Sequence, residues 1–261
     1  MKKKPELLVG VGSFSCAIAA VKNGTDAVYF GIKGYNMRDL GTNFKTSELK
    51  KLMQYLHKNK VKGFLALNTI IFENELPKIE KILNSAKKAK IDAIICADLG
   101  VLTIAKKLKI PIHISTQASV GNSIALEQYK KLGAKRIVLA RELSLDQIKK
   151  LTTKAKKLKL EIEVFVHGAM CIAVSGRCFL SQNIFGKSAN RGDCLQPCRR
   201  EYIITDKEEG HSFVLGNNYI LSPKDLCTMP FIEKILDLGV EALKIEGKLD
   251  VEGNLVKEEL K

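Results

Sequence analysis

Ala93-Ile94-Ile95-Cys96-Ala97-Asp98, followed by a helical stretch over 101–109 and then by Ile112-His113-Ile114-Ser115, decides the fold. The first and last segments are short, almost unbroken apolar runs, as expected of strands covered by helices on a parallel sheet. A strand, a helix and a second strand of this kind make one βαβ unit. The same unit recurs in both directions with a loose period of about 25 residues. Towards the N-terminus, strands are expected at 6–10, 26–31 and 63–68, with helices at 15–22, 47–58 and 76–90. Towards the C-terminus, a helix at 123–132, a strand at 136–140, a helix at 145–157 and a strand at 161–166 continue the series. Residues 242–246 supply the eighth strand. Eight strands alternating with helices predict an α/β fold, a closed (β/α)8 TIM-type barrel, which suits one domain of 261 residues. An open doubly wound sheet is the alternative, and it usually carries fewer strands.

The rhythm breaks once. Between strands seven and eight, residues 168 to about 228 form an insertion with a cysteine-rich stretch and an expected β-hairpin, 201–205 with 213–221. It follows the C-terminal end of strand seven, the face on which barrel enzymes build their active sites. The strand ends deliver polar groups to the same rim: Asn68 and Thr69, Asp98, Ser115 with Thr116 and Gln117, Arg141 and Glu142, His167, and Glu246. Taken singly, each can be a helix cap, as Ser144 before Leu145 is expected to be. Converging from separate strands, they form a candidate pocket. Asn68, Asp98 and Gln117 are candidate substrate contacts, and Glu142, His167 and Glu246 are candidates for proton transfer.

The formal net charge is +15, from 43 Lys+Arg against 28 Asp+Glu. Such a field favours polyanions such as RNA. The plainer reading is a set of lysines on helix faces, among them Lys50, Lys51, Lys87, Lys88, Lys154 and Lys156. No apolar run reaches bilayer-spanning length, and Met1-Lys2-Lys3-Lys4-Pro5 leads into an apolar segment too short for a signal peptide. The expectation is a cytoplasmic protein without a membrane partner.

Seven cysteines without a secretory signal argue against a disulfide framework and for metal or catalytic use. Cys96 lies in an apolar strand and reads as a small buried hydrophobe. Five others fall in the insertion: Cys171, Cys178, Cys194, Cys198 and Cys227. Four thiolates can hold zinc or an iron–sulfur cluster. Paired Cys-x-x-Cys knuckles, which favour zinc, are absent. The wide spacing, with glycines and with Arg177, Arg191, Arg199 and Arg200 nearby, suits a bulky anionic cluster. Cys194 and Cys198 compete for one place. Cys194 is favoured, because Pro197 and the arginines beside Cys198 read as structure and anion contact.

The run from Glu163 through Phe165, His167, Gly168, Ala169, Met170, Cys171, Gly176 and Cys178 to Ser181 resembles the signature of the collagenase-like peptidases, peptidase family U32. The resemblance extends to Asp26-Ala27-Val28-Tyr29-Phe30-Gly31, Tyr35-Asn36-Met37-Arg38, the stretch from His113 to Ser119, the stretch from Ile137 to Leu143, that from Asn190 to Arg199, and Lys244-Ile245-Glu246-Gly247. It implies a TIM-type barrel. It also implies oxygen-independent hydroxylation, of tRNA or rRNA bases or of a quinone ring, with prephenate as a hydroxyl donor in some members. A [4Fe–4S] cluster would then sit on Cys171, Cys178, Cys194 and Cys227, with Arg141, Arg177 or Arg191 anchoring the donor's carboxylates through paired hydrogen bonds. The family name implies a peptidase instead, for which neither a His-Glu-x-x-His helix nor a serine nucleophile elbow is present. A cysteine nucleophile served by His167 is the form such a peptidase would take.

Two departures stand out. Lys248-Leu249-Asp250 replaces the usual Arg-Met-Lys-Ser after Glu246-Gly247, and Val9-Gly10-Val11-Gly12-Ser13 replaces Ala-Pro-Ala-Gly-Ser. The C-terminal domain of longer members is expected to be absent. Short members act as pairs, so a homo-oligomer, or a complex with another family member, is a further expectation. The third reading is accordingly a non-catalytic partner that carries a cluster.

Overall fold

The computed structural model describes residues 4–175, 177–215, 221 and 224–247. Gly176 of the cysteine motif, residues 216–220 of the expected hairpin and the departure at 248–250 lie outside the described residues. The first seven strands are β1 (Glu6–Gly10), β2 (Ala27–Gly31), β3 (Lys62–Leu67), β4 (Ala93–Cys96), β5 (Ile112–Ile114), β6 (Arg136–Val138) and β7 (Glu161–Gly168). The insertion contributes β8 (Tyr202–Thr205), β9 (Ser212–Leu215) and β10 (Leu226–Cys227), and the eighth barrel strand is β11 (Ala242–Ile245). Around the sheet lie α1 (Phe14–Lys22), α2 (Leu49–Lys58), α3 (Leu76–Lys88), α4 (Leu99–Lys107), α5 (Ser123–Leu132) and α6 (Leu145–Leu158), with the short α7 (Leu180–Phe185) and α8 (Ile232–Asp237) in and after the insertion.

The barrel strands run in the order β7-β11-β1-β2-β3-β4-β5-β6, and β6 pairs back to β7. Every one of these pairings is parallel. That last pairing closes the barrel and excludes the open sheet. β8 and β9 form the expected hairpin, with Tyr202 opposite Leu215. The short β10 pairs antiparallel with the end of β7, placing Cys227 opposite His167 and Leu226 opposite Gly168.

Alternation along the strands divides the core in two. Leu65 and Ile94 join helix residues such as Leu52, Leu56, Ile79 and Leu83 in the layer between sheet and helices. Leu8, Ala27, Phe64, Ala93 and Ile95 form a separate cluster with Tyr29 inside the barrel. Charge completes this inner layer. Arg136 reaches Glu6 at 2.7 Å, Glu161 at 2.7 Å and Glu163 at 3.3 Å. Lys244 meets Glu163 at 2.8 Å and lies over the Tyr29 ring. Glu163 and Lys244 are both buried, so each needs the other in a low-dielectric interior. Burial pushes the Glu6 carboxyl up, but Arg136 and Lys62 outweigh it and hold it below its ordinary value. His113, buried edge-on to Phe64, is held neutral well below the usual imidazole range by burial and by Arg136.

Candidate active site at the barrel mouth

Two glycines fold the cysteine segment back over the C-terminal mouth. Gly168 ends β7 at φ 117°, where a Cβ would stand 2.8 Å from both the Cβ and the carbonyl oxygen of Glu246. Gly192 has φ 94°, and a Cβ there would lie 2.1 Å from the Asn36 carbonyl oxygen. Glycine is what permits both the backbone conformation and the close approach. The segment is thereby seated on the loop that follows β2, where the Asp39 amide donates to the Gly192 carbonyl at 3.1 Å.

Beneath it is a cavity of about 120 Å³. Cys171, Cys178, Cys194 and Cys198 line it together with Arg38, Arg141, Gln117 and Glu246. Burial pushes the Cys171 thiol up, and the neighbouring Cys178 and Cys194 push it further. Cys198 is raised by burial and then by Cys194 and Cys171. The thiols therefore feel one another as like charges would. Among the described residues, no three His, Cys, Asp or Glu side chains converge in a way that could hold a single metal ion.

Glu246 organises the charged part of the lining. It is buried, its amide donates to the His167 carbonyl at 2.9 Å, and its carboxylate pairs with Arg38 and with Arg141, the latter at 2.5 Å. Burial alone would raise its carboxyl, yet the two guanidiniums hold it below the ordinary value. Arg141 also donates to the Ala169 carbonyl at 2.9 Å and lies 3.8 Å over the Phe165 ring. Its position is fixed by a carboxylate, a carbonyl and an aromatic face together.

A second cavity, about 450 Å³, opens beside the first. Asn68, Asp98, Gln117 and Arg177 all line it. Asn68 accepts from the Met37 amide at 3.2 Å and donates to Gln117 at 3.0 Å. Asp98 caps α4, accepting from the amides of Gly100 at 2.8 Å and Val101 at 3.1 Å.

The structure thus brings together Cys171, Cys178, Cys194, Arg141, Gln117 and Glu246 in one cavity, and Asn68, Asp98 and Arg177 in the adjoining one. It places others elsewhere. Glu142 is exposed and lines neither cavity. Arg191 is engaged with both carboxylate oxygens of Glu75, at 2.5 and 2.9 Å, and stacks on Phe72. His167 lies on β7 beside the mouth, and Cys227 is exposed on the neighbouring β10. Cys198 occupies a place on the cavity wall next to Cys194. Arg38 is the group that a survey of strand ends passes over, because it lies seven residues beyond the end of β2. The Tyr35-Asn36-Met37-Arg38 run was its signal.

The model of peptidase family U32 matches residues 12–257. The chain is 45% identical over 93% of its length to an uncharacterized protease of Methanocaldococcus jannaschii, covering 60% of that protein. It is 41% identical over 93% of its length to a collagenase of Porphyromonas gingivalis, covering 61% of it. It is 34% identical over 95% of its length to a tRNA hydroxylation protein of Bacillus subtilis, covering 59% of it. The chain therefore spans about 60% of the length of these relatives. The solved structure of a U32 peptidase superposes with a TM-score of 0.64 at 12% identity, covering 95% of this chain and 94% of that one, a likeness of fold.

Proposed function

This chain belongs to peptidase family U32, and on that premise we propose that it hydroxylates RNA without molecular oxygen, using an iron–sulfur cluster at the barrel mouth. The observation that carries the reading is the shared cavity: three of the expected cysteine ligands line it together with Arg38, Arg141 and the buried Glu246 that pairs with both. The donor set fits a cluster. Thiols that raise one another's pKa in a partly buried wall call for a cationic centre, which stabilises the thiolate form. Cys171, Cys178, Cys194 and Cys227 would hold it. Cys227 is tied by the β10 ladder to His167 and Gly168, directly before the stretch that carries Cys171. A [4Fe–4S] cluster supplies electron transfer, or an iron site towards an oxygen donor, when bound there.

The remaining work falls to the protein's own groups. Arg38 and Arg141 present guanidinium edges suited to a dicarboxylate donor such as prephenate, and Glu246 keeps both in place. The ionised Glu246 is the buried base in reach of that site. A relative named as a tRNA hydroxylation protein and the charge of +15 support RNA as the substrate class.

Relatives named as a protease and a collagenase keep peptidase activity as the second reading. A cysteine nucleophile needs a lowered pKa. Cys171, the residue placed to serve, is shifted the other way. The test is incubation of the anaerobically prepared chain with prephenate and hypomodified tRNA, followed by mass spectrometry of the nucleosides. A hydroxylated pyrimidine is expected. Cleavage of collagen or casein, with tRNA unchanged, would favour the peptidase. Each of Cys171→Ala, Cys178→Ala, Cys194→Ala and Cys227→Ala should abolish the reaction. Activity kept in Cys194→Ala and lost in Cys198→Ala would exchange those two ligands.

A further inference from the structure

The second cavity is lined by a half-buried amide whose orientation the neighbouring groups fix, that of Gln117. The Met37 amide can only donate, so the Asn68 atom it meets is the oxygen, and the Asn68 amide nitrogen is left to donate to Gln117. The Gln117 atom on that contact is therefore its oxygen, which also accepts from the Ser115 hydroxyl. The orientation of the Gln117 amide is fixed by this relay, and its NH2 group has no described partner. Gln117 lines both cavities, as do Met37 and Ser175, so the two share a wall. The second cavity is also lined by Phe179, 71% exposed, and by Arg177, also exposed. Ile70, which lines the cavity too, and the nearby Phe72 and Leu99 are each more than half exposed. Exposed apolar side chains gathered around a pocket with a few polar groups, on a strongly basic protein, mark a binding surface.

We infer that this second cavity receives a single unpaired nucleotide whose base bears a carbonyl, such as uridine, with Phe179 stacking on the base, the Gln117 NH2 donating to that carbonyl, and Arg177 meeting the flanking phosphate. The inference rests on the RNA reading and assigns it a subsite. An aromatic platform beside a cation is the usual means of holding an unstacked base. Uracil, cytosine and guanine carry the carbonyl acceptor that an oriented amide donor meets, and adenine does not. A base held there would lie against the wall shared with the thiol-lined cavity, at the place where an oxygen donor would be bound.

The test is equilibrium binding of the full chain to two RNA stem–loops, one with a single uridine in its loop and one with an abasic site at that position. The wild type should prefer the uridine loop by about tenfold, the worth of one stacked base. Phe179→Ala, an exposed position, should remove that preference and leave the affinity for the abasic loop unchanged, whereas Phe179→Tyr should keep it. Gln117→Met should reduce the preference. Equal binding of both loops by the wild type, or a preference surviving in Phe179→Ala and Gln117→Met, would overturn the subsite while leaving RNA as the partner. Failure of the wild type to bind either loop would overturn the subsite and the RNA reading together.

Discussion

Glu246 is buried between two guanidiniums, and its removal would take from Arg38 and Arg141 their shared carboxylate. Glu246→Ala should therefore destabilise the fold by roughly 1–3 kcal/mol, less than for a fully buried pair because Arg38 is partly exposed and Arg141 keeps the Ala169 carbonyl, read as a shift in the urea midpoint. His113 makes a different prediction. Its folded pKa is depressed, so below about pH 6.5 the unfolded chain takes up a proton that the native chain refuses. Stability is thus lost as pH falls from about 6.5 towards the folded value. His113→Leu should flatten the loss between about pH 6.5 and pH 5, as measured by thermal midpoints; an unchanged slope would show that His113 is not its source. At this scale the sequence revealed the kinds of group at the mouth, because strand ends are easy to find. It could not reveal which were already engaged. Arg191 looked free until Glu75, more than a hundred positions away, was seen to hold it.

The strands and helices were legible because each apolar run matches one covered strand, and the boundaries moved by only a few residues. The inner layer was not. Arg136, Glu163 and Lys244 lie in strands that read as apolar, and their partners stand on other strands 25 to 130 positions away, so no local pattern announces them. The short β10 and α8 were also missed: a two-residue strand has no periodicity to detect. Between elements, the seat of the cysteine segment on the β2 loop depends on Gly192. Gly192→Ala should cost on the order of 1–3 kcal/mol from backbone strain alone and displace the segment that carries Cys194. The expected result is a lower melting temperature together with a reduced iron content after anaerobic reconstitution. A variant with the wild-type values of both would remove that contact from the account.

Across the whole molecule, the barrel supplies a frame and the insertion after β7 lays four cysteines along a cavity at its mouth, the face on which (β/α)8 proteins build their sites. Closure between β6 and β7 brings Arg141 and the stretch beyond Gly168 side by side, and the β7–β11 pairing adds Glu246. The site is thus a product of topology, and the order of strands alone predicts which loops share it. The central claim is that the cysteine segment holds an iron–sulfur cluster over this mouth. It is tested most directly by measuring iron and acid-labile sulfide in the chain prepared without oxygen. The account predicts a brown protein with about four iron and about four sulfide per chain. A colourless protein that binds zinc in their place would contradict it.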